Sequence, residues 1–265
     1  MDLTTIGGLV LGVVSLVVAF MMEGGTVGAL IQFTAVIIVF GGTLGAVLVS
    51  YPIAQLQQLP GILKVAFFYK RRDFLTIIDD LVELASTARR EGILALEEGI
   101  ENHDDDFFKN GIRLVVDGVD PDLVRSILET ELSFIESRHE TAAGIFETAG
   151  GFAPTMGIIG TVMGLVHVLG NLQDVSKLGP LIATAFIATL YGVGSANVVY
   201  LPLGNKLKTR SKEEVLGREL MIEGILSIQA GENPSILRHK LKAFLAPKMR
   251  EATKKQEAET DAETA

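Results

Sequence analysis

Four long stretches of this chain contain no Asp, Glu, Lys or Arg. As an α-helix that rises about 1.5 Å per residue, each is long enough to cross a hydrocarbon core about 30 Å thick, which takes about 20 residues. Only one side chain within them, His167, titrates near neutral pH. The pattern predicts an all-α integral membrane protein with four transmembrane helices and a helical cytoplasmic domain. The helices, called spans 1 to 4 below, are residues 4–22, 29–50, 149–170 and 179–203.

The charged residues lie in two blocks outside the spans. Of the 23 Lys and Arg residues, ten lie at positions 51–148 and twelve follow position 204, which leaves only Lys177 elsewhere. Because cytoplasmic loops carry an excess of Lys and Arg, both blocks and both termini are predicted to be cytoplasmic in a multi-pass protein of the cell membrane. The basic clusters nearest to the span ends are Lys70, Arg71 and Arg72, and Lys206, Lys208, Arg210 and Lys212.

The composition excludes several kinds of site and partner. A net charge of -9 argues against nucleic acid as a partner. Because the chain has no cysteine, it contains no disulfide, thiolate metal site or cysteine nucleophile. The first apolar segment follows Asp2 with no basic region before it and no small-x-small cleavage site, so it is expected to stay in the mature protein.

The expected domain order alternates membrane and cytoplasmic segments. Residues 1–50 hold spans 1 and 2, residues 51–148 form the helical cytoplasmic domain, and residues 149–203 hold spans 3 and 4. Residues 204–250 form a helical cytoplasmic tail, and residues 251–265 lack the apolar content to fold and are expected to be disordered. No alternation long enough to predict a β-strand is present.

Several helical patterns lie in the cytoplasmic segments. Residues 73–91 carry apolar side chains on one face and carboxylates on the other, which predicts an amphipathic helix that Gly92 interrupts. Pro121, behind an Asp cap, begins a second helix that has no terminator before Gly150 and is expected to run towards span 3. In the tail, a continuation of span 4 is expected to be followed by two short helices, at residues 221–230 and 234–245.

Small residues recur at steps of four and three along one face of span 3 and of span 4. One interpretation is a packing seam, because small residues let helix backbones approach closely in lipid. The other is the lining of an ion pathway, in which the hydroxyls of Thr161 and Thr189 hold water or a dehydrating cation. A bond from each hydroxyl to a carbonyl one turn back is the plain alternative. The residues predicted to pack are Gly150, Gly157 and Gly164 in span 3 and Ala185, Gly192 and Ala196 in span 4.

Two prolines lie at matching depths near the cytoplasmic ends of their spans, Pro154 in span 3 and Pro202 in span 4. A proline removes one helical hydrogen bond and can hinge or kink a helix. The pair is therefore a candidate coupling point between membrane and cytoplasm, or else marks two ordinary helix ends.

No acidic side chain lies at membrane depth, although ion pathways usually contain one. If the chain conducts ions, another molecule must supply the group that carries them. His167 could relay protons, and an interfacial neutral histidine is the equal alternative. The spans contain no charged substrate site, paired carboxylates or nucleophile and base, which argues against a self-sufficient transporter or an enzyme. Adjacent residues such as the HDDD run at 103–106 rarely converge on one ion, so no metal site is expected.

Four segments together resemble the MotA family of flagellar stator subunits, within the wider MotA/TolQ/ExbB superfamily. The similarity covers nearly the whole chain in the family's order and spacing. The segments are ARREGILALE at 88–97, APTMGIIGTVMG at 153–164, ATLYG at 188–192 and LGNKLK at 203–208.

The resemblance implies a non-enzymatic subunit, without a cofactor, that serves bacterial motility and chemotaxis. A ring of these subunits, pentameric in form, would surround a dimer of the partner MotB. The partner's single span would carry the ion-accepting aspartate. Ion flow would then move the ring against the flagellar rotor protein FliG.

The resemblance also implies roles for single residues. Pro154 and Pro202 match the family's functional prolines, and Thr161 and Thr189 match its pore-facing threonines. Thr161 leaves the ion open between the proton, which is the default, and sodium. The positions that contact FliG match Arg89 and Glu97, with Arg90, Glu98 and Glu131 as weaker candidates for the same surface. Without the resemblance, these charges would be interpreted as a solvated face.

An energiser of outer-membrane transport of the ExbB or TolQ type is the alternative function. Those relatives have three spans, with the large cytoplasmic loop after the first. Here two spans precede the loop, which favours the stator.

Overall fold

The computed structural model describes residues 2–68, 73–100, 103, 105–170, 172–173, 175–245, 247 and 250. Every regular element among these residues is helical, which confirms the predicted all-α class. The chain divides into two compact units. Unit 1 comprises Met1–Lys70 and Arg138–Arg210, and unit 2 comprises Arg71–Ser137 and Ser211–Ala265. The predicted disorder of residues 251–265 lies outside the described residues.

Four helical regions are long and apolar enough to cross a membrane, as predicted. Span 1 is α1 (Leu3–Met22). Span 2 begins with the 3-10 turn Val27–Leu30 and continues through α2 (Phe33–Val36), the π turn Ile37–Gly41 and α3 (Gly42–Ser50). Span 3 is the apolar part of α9 (Pro121–Leu169), and span 4 is α10 (Val175–Ser195), the π turn Ala196–Tyr200 and the start of α11 (Leu201–Gln229).

Small apolar side chains pack the spans of unit 1 together. Ala35 and Val39 of span 2 are buried against Ala188 of span 4. Nearer the other end of span 2, Val47 is buried with Ile145 and Ala149 of α9. The short helices α4 (Ile53–Leu56) and α5 (Leu59–Phe68) follow span 2, and Ala66 of α5 joins a third cluster with Ala143, Phe146, Leu203 and Leu207. Most of the remaining surface of the spans is apolar and exposed, as lipid-facing helices require.

A proline accounts for the π turn in span 4. Pro202 has no N–H to donate to the Val198 carbonyl four residues earlier, and its ring would clash with that carbonyl in a regular α-helix. The π turn Ala196–Tyr200 ends two residues before Pro202 and widens the helix at this point. Nothing in the local sequence explains the second π turn, Ile37–Gly41.

Unit 2 is a helical domain with one apolar core. Its core residues come from α6 (Phe74–Glu91), α7 (Leu96–Ile100), α8 (Asp106–Val116), the first turns of α9, the last turns of α11 and α12 (Pro234–Leu241). Two glycines let neighbouring helices pack closely. A Cβ on Gly224 would lie 2.8 Å from Leu81 Cδ2, and one on Gly111 would lie 3.3 Å from Leu128 Cδ1.

Ion pairs join the elements of unit 2 around this core. The buried Arg218 of α11 donates to Asp105, which caps α8, at 2.5 Å, and stacks over the Phe107 ring. Lys240 of α12 lies 2.5 Å from Glu223 of α11. Because the Lys240 ammonium donates to this carboxylate, the pKa of Glu223 is lowered and the pKa of Lys240 is raised.

The helix boundaries confirm most of the helices predicted outside the spans. The amphipathic helix ends at Glu91, where Gly92 adopts φ +92°, and α9 runs without a break from Pro121 into span 3. The separate helix predicted at 221–230 is wrong, because α11 continues from span 4 as far as Gln229. Gly217 and Gly224 do not end it, since they pack beneath Phe74 and Leu81, and the helix stops before Gly231 at φ +71°.

Candidate functional site

The two threonines of the predicted ion pathway are in contact. Thr161 Oγ1 and Thr189 Oγ1 lie 2.5 Å apart, so one hydroxyl donates to the other. Thr161 Oγ1 also lies 3.1 Å from the carbonyl oxygens of Gly157 and Ala185, and Thr189 Oγ1 lies 3.4 Å from that of Gly157. The structure thus combines the back-bond to Gly157 one turn earlier with a hydroxyl bridge between spans 3 and 4.

This cluster has more hydrogen-bond acceptors than donors. Two hydroxyls carry two protons between them, while the two hydroxyl oxygens and the two backbone carbonyls can all accept. A hydroxyl can rotate to change its acceptor, so an oxygen lone pair can be offered to water or a cation without placing a charge in the membrane. Both threonines are partly exposed in the single chain, which leaves the pair accessible from one side.

Small residues bring the backbones of spans 3 and 4 together on either side of the threonines. A Cβ on Gly157 would lie 2.8 Å from the Ala188 carbonyl oxygen and 3.1 Å from Thr189 Cα. A Cβ on Gly192 would lie 3.1 Å from Gly157 Cα. Real side chains do not reach such distances from a backbone, so only glycine fits these positions at this helix separation.

Gly164 and Gly150 of span 3 also lie against span 4 and its continuation. A Cβ on Gly164 would lie 3.0 Å from Ala185 Cα, and one on Gly150 would lie 2.8 Å from Leu201 Cγ. Ala196 is fully buried in the π turn of span 4. We call this set the glycine seam: Gly150, Gly157, Gly164, Ala185, Gly192 and Ala196.

Span 2 contacts both of the spans that form the seam. The Tyr191 hydroxyl of span 4 donates to the Leu30 carbonyl and accepts from the Gln32 amide at 3.3 Å, at the start of span 2. A Cβ on Gly42 would lie 3.1 Å from Met156 Cγ, which places span 2 close to span 3 as well. The Thr43 hydroxyl is buried in span 2 and has no hydrogen-bond partner among the described residues.

The two predicted coupling prolines differ in their surroundings. Pro154 lies inside α9, four residues after Gly150, and is partly buried. Pro202 lies in the first turn of α11, two residues after the end of the π turn, and is exposed. Both positions therefore interrupt the regular bonding of their helices, although only the second is accompanied by a change of helix type.

The predicted rotor-facing charges lie exposed on unit 2, on both sides of Gly92. Arg89 and Arg90 end α6, and Glu97 and Glu98 begin α7 after the 3-10 turn Ile93–Ala95. Because Gly92 ends the first helix, Arg89 and Glu97 do not share one continuous helix face. Glu131, one of the weaker candidates, is partly exposed on α9.

Two histidines were considered as a proton relay or a metal ligand, His167 in span 3 and His103 in unit 2. His167 is exposed near the end of span 3. His103 stacks on Phe108 with ring centroids 4.3 Å apart, and its Nε2 lies 3.5 Å from Asp80. Among the residues that the structure describes, no group of three potential metal ligands converges. The predicted HDDD run includes Asp104, which lies outside the described residues.

Sequence reasoning missed a polar cluster at the start of span 1. The Asp2 carboxylate caps α1 by accepting from the Thr4 amide at 3.1 Å, and it pairs with Lys206 and Arg210 beyond span 4. The signal that could have indicated it is a lone carboxylate directly before an otherwise apolar helix.

These observations define a class of protein: a four-span helical membrane protein without membrane carboxylates, whose spans 3 and 4 form a closely packed wall carrying two hydroxyls. The profile of the MotA/TolQ/ExbB proton channel family matches residues 99–220, and that of the motility protein A N-terminal region matches residues 6–92. The chain belongs to the MotA/TolQ/ExbB proton channel family, in its motility protein A group. The N-terminal match favours the stator over the ExbB or TolQ type of energiser.

Full-length relatives support this assignment. The chain is 39% identical to motility protein A of Bacillus subtilis over 94% of this chain and 93% of the relative, and 38% identical to the chemotaxis protein PomA of Vibrio alginolyticus over 92% and 96%. Its fold matches a chain of the flagellar MotAB stator complex from Bacillus subtilis with a TM-score of 0.91 at 38% identity, covering 95% of this chain and 99% of that one. A MotAB structure from C. jejuni matches with a TM-score of 0.89 at 32% identity, covering 93% and 97%. The resemblance found in the sequence is confirmed, and the chain is an ion-channel subunit of the flagellar stator class.

Proposed function

We propose that this chain forms an ion channel with a MotB-type subunit and converts inward flow of protons or sodium ions into torque on the flagellar rotor protein FliG. One observation carries the proposal: the spans contain no carboxylate, yet spans 3 and 4 pair two hydroxyls, Thr161 and Thr189, in a partly exposed position. The partner's aspartate would supply the charge that carries the ion. The similar structures are complexes of MotA with MotB, which supports such a partner.

Swimming tests the partnership. A strain that lacks its own stator genes should swim when it receives this chain together with a MotB-type partner, and should stay immotile with either one alone. Swimming with this chain alone would contradict the proposal. Swimming speed measured against external sodium, with and without a protonophore, would then identify the ion.

Contact with FliG is proposed for Arg89 and Glu97, with help from Arg90, Glu98 and Glu131. Their exposure on unit 2 supports this role, because buried charges could not meet a rotor protein. Charge reversal by Arg89→Glu or Glu97→Lys should abolish or strongly reduce swimming while membrane expression stays normal. The matched control reverses two exposed charges of unit 2 away from Gly92, Glu83→Lys and Arg113→Glu, and should swim normally. Normal swimming of an Arg89→Glu/Glu97→Lys double variant would contradict the rotor contact.

The proposed assembly is a pentameric ring of this chain around a MotB dimer in the cell membrane. Native mass spectrometry of the purified complex should give five copies of this chain for two of the partner. A different ratio would contradict the ring.

Both termini and unit 2 are proposed to be cytoplasmic, following the basic clusters. Because the chain has no cysteine, a single cysteine introduced by mutation is the only thiol of the chain that can be labelled. Its labelling therefore reports the side of the membrane on which it lies. In whole cells, a membrane-impermeant maleimide should label Glu23→Cys between spans 1 and 2, and should label Arg89→Cys only after lysis. Labelling of Arg89→Cys in intact cells would reverse the orientation.

A further inference from the structure

The helix α5 packs across the ends of spans 3 and 4. Its Ala66 is fully buried, and the buried residues that surround it come from α9 and from α11: Ala143, Phe146, Leu203 and Leu207. The first two lie about two turns and one turn before span 3, and the last two lie at the end of span 4 and one turn beyond it. Because one turn rises about 5.4 Å and the headgroup region adds about 5–8 Å to each side of the hydrocarbon core, α5 lies at the level of lipid headgroups.

A backbone hydrogen bond places the far end of α5 at the start of span 1. The Asp2 amide donates to the Phe67 carbonyl at 2.8 Å, and α1 begins at the next residue, Leu3. At its other end, α5 is separated from span 2 only by the short helix α4. The helix therefore runs from the end of span 2 to the start of span 1 along one surface of the membrane.

The face of α5 that points away from this packing is apolar and exposed. Val65 and Phe68 are 47% and 57% exposed, and Lys64 is exposed on the same face. Along the chain, the exposed apolar surface of span 2 leads to this face through Val49 and Ile53, which are 90% and 66% exposed. Exposed apolar side chains beside a lipid-facing span are typical of a helix that lies in the membrane interface.

The sequence around α5 carries only positive charge. Residues 24–72 contain four Lys and Arg residues and no Asp or Glu. The Asp2 carboxylate, next to the end of α5, is already paired with Lys206 and Arg210. Basic side chains at a membrane surface attract anionic lipids, so Lys64 is suited to an anionic headgroup.

We propose that the outer face of α5 docks on anionic phospholipids, with Val65 and Phe68 at the boundary of the acyl chains and Lys64 among the headgroups. In the orientation proposed above, these lipids belong to the cytoplasmic leaflet. The lipid surface that already surrounds span 2 continues onto this face. Through its other side, α5 connects the docked lipids to the ends of spans 1, 3 and 4.

Tryptophan fluorescence in nanodiscs tests the docking. Because the chain has no tryptophan, Phe68→Trp gives the full-length chain a single one. Phospholipids brominated near the headgroup end of their acyl chains should quench its fluorescence. The matched control is Phe134→Trp, at a 65% exposed phenylalanine that lies about 22 Å before span 3 along α9 and should not be quenched. Equally weak quenching of the two variants would overturn the proposal.

The choice of headgroup is tested in the Phe68→Trp background. Brominated phosphatidylglycerol or brominated phosphatidylcholine is added at the same low mole fraction to discs of unbrominated phosphatidylcholine, and the phosphatidylglycerol should quench more strongly. Lys64→Gln should lower its affinity relative to phosphatidylcholine about fivefold, the effect of one basic residue at a membrane surface. Equal quenching by the two lipids with Lys64 in place would overturn the anionic preference.

Two variants control for the loss of charge. Lys64→Arg keeps the positive charge on α5, and Arg113→Gln removes an exposed charge of unit 2. Both should keep the preference for phosphatidylglycerol. Loss of the preference in Arg113→Gln to the same extent as in Lys64→Gln would contradict a local role of Lys64.

A photo-crosslinking amino acid in place of Val65 distinguishes lipid from protein at this face. An adduct with the mass of one phospholipid supports the proposal. A crosslink to a second copy of this chain would overturn it, since the face would then be a subunit interface. Neither measurement depends on the side of the membrane that α5 faces, so failure of the proposed orientation in maleimide labelling is distinguishable from failure of the lipid docking.

Discussion

The hydroxyl oxygens of Thr161 and Thr189 lie 2.5 Å apart across the contact between spans 3 and 4. Each residue is partly exposed, while the glycines beside them, Gly157 and Gly192, are buried. The same contact thus brings two backbones together and presents two oxygens at its edge. A partner helix that carries an ionisable group would find there a surface able to accept or donate hydrogen bonds.

We expect Thr161→Val and Thr189→Val each to reduce ion-driven rotation, because valine keeps the size of threonine and removes the hydroxyl. Each loss should also weaken the packing of spans 3 and 4 by about 1 kcal/mol, the usual range for a hydrogen bond between membrane helices. Torque can be measured from the speed of tethered cells, and packing from thermal unfolding in detergent. The double variant should lose less stability than the sum of the single ones, because one shared bond is broken in each.

Thr155→Val is the control for the threonine prediction. Thr155 lies in span 3 but is exposed and donates to the Phe152 carbonyl of its own helix at 2.7 Å. Its replacement should leave rotation unchanged. Unchanged speed and ion dependence in both Thr161→Val and Thr189→Val would make the pair a packing feature only.

Gly157→Ala should separate spans 3 and 4, because the new methyl group would lie 2.8 Å from the Ala188 carbonyl oxygen. Overpacking of this kind costs about 1–3 kcal/mol. Gly151→Ala, in the same helix, meets no atom within 4 Å and should be neutral or slightly stabilising. Thermal unfolding of the purified complex measures both changes, and equal stability of the two variants would rule out a tight seam.

Pro154→Ala and Pro202→Leu should preserve assembly and impair torque. Either change restores an N–H that can pair with the carbonyl four residues earlier, so the helix becomes more regular and stiffer. The control is Pro180→Ala, near the start of α10 and at the opposite end of span 4 from Pro202. Pull-down with the partner reports assembly, and tethered-cell speed reports torque. Full torque in either variant would remove that proline from the coupling mechanism.

The ion pair between Glu223 and Lys240 should make the stability of unit 2 depend on pH. The pKa of Glu223 lies below its usual value of 4.5, so the stabilisation is complete above pH 4.5 and is lost as the pH falls through the lowered pKa. The pKa of Lys240 lies above its usual value of 10.5, so the stabilisation is complete below pH 10.5 and is lost as the pH rises through the raised pKa.

Between these limits, Glu223→Gln should destabilise unit 2 by about 0.5–1 kcal/mol, as expected for a partly exposed pair. Resistance to limited proteolysis of the full chain measures the effect across the pH range. The exposed Glu219, one turn earlier on α11, provides the matched control Glu219→Gln. A stability difference from the wild type that persists in strong acid would show that the ion pair is not its cause.

Local signals in the sequence predicted the helices of this chain well. Charge-free length predicted the four spans, and the turn at Gly92 and the start of α9 at Pro121 followed from glycine and proline chemistry. Steps of four and three placed Thr161 and Thr189 each on the small-residue face of its own span. The spacing within each span did not determine how far span 3 is shifted along span 4. That shift depends on the packing of Gly157 against Gly192.

Contacts between distant parts of the chain could not be predicted in this way. Asp2 pairs with Arg210, 208 positions away, and no local pattern links them. The continuous α11 was missed because Gly217 and Gly224 are helix breakers by propensity, whereas here Phe74 and Leu81 pack over them. The π turns change the hydrogen-bond register without changing hydropathy, so charge-free length does not indicate them.

The central claim is that this chain lines an ion channel in which another subunit supplies the ion-binding carboxylate. Measuring ion flux into liposomes tests this claim most directly. The chain alone, the MotB-type partner alone and the complex would be reconstituted at equal density, and proton and sodium uptake would be followed with fluorescent indicators. We expect flux only for the complex, and a smaller flux for complexes that carry Thr161→Val or Thr189→Val. Flux through this chain alone, equal to that of the complex, would contradict the central claim.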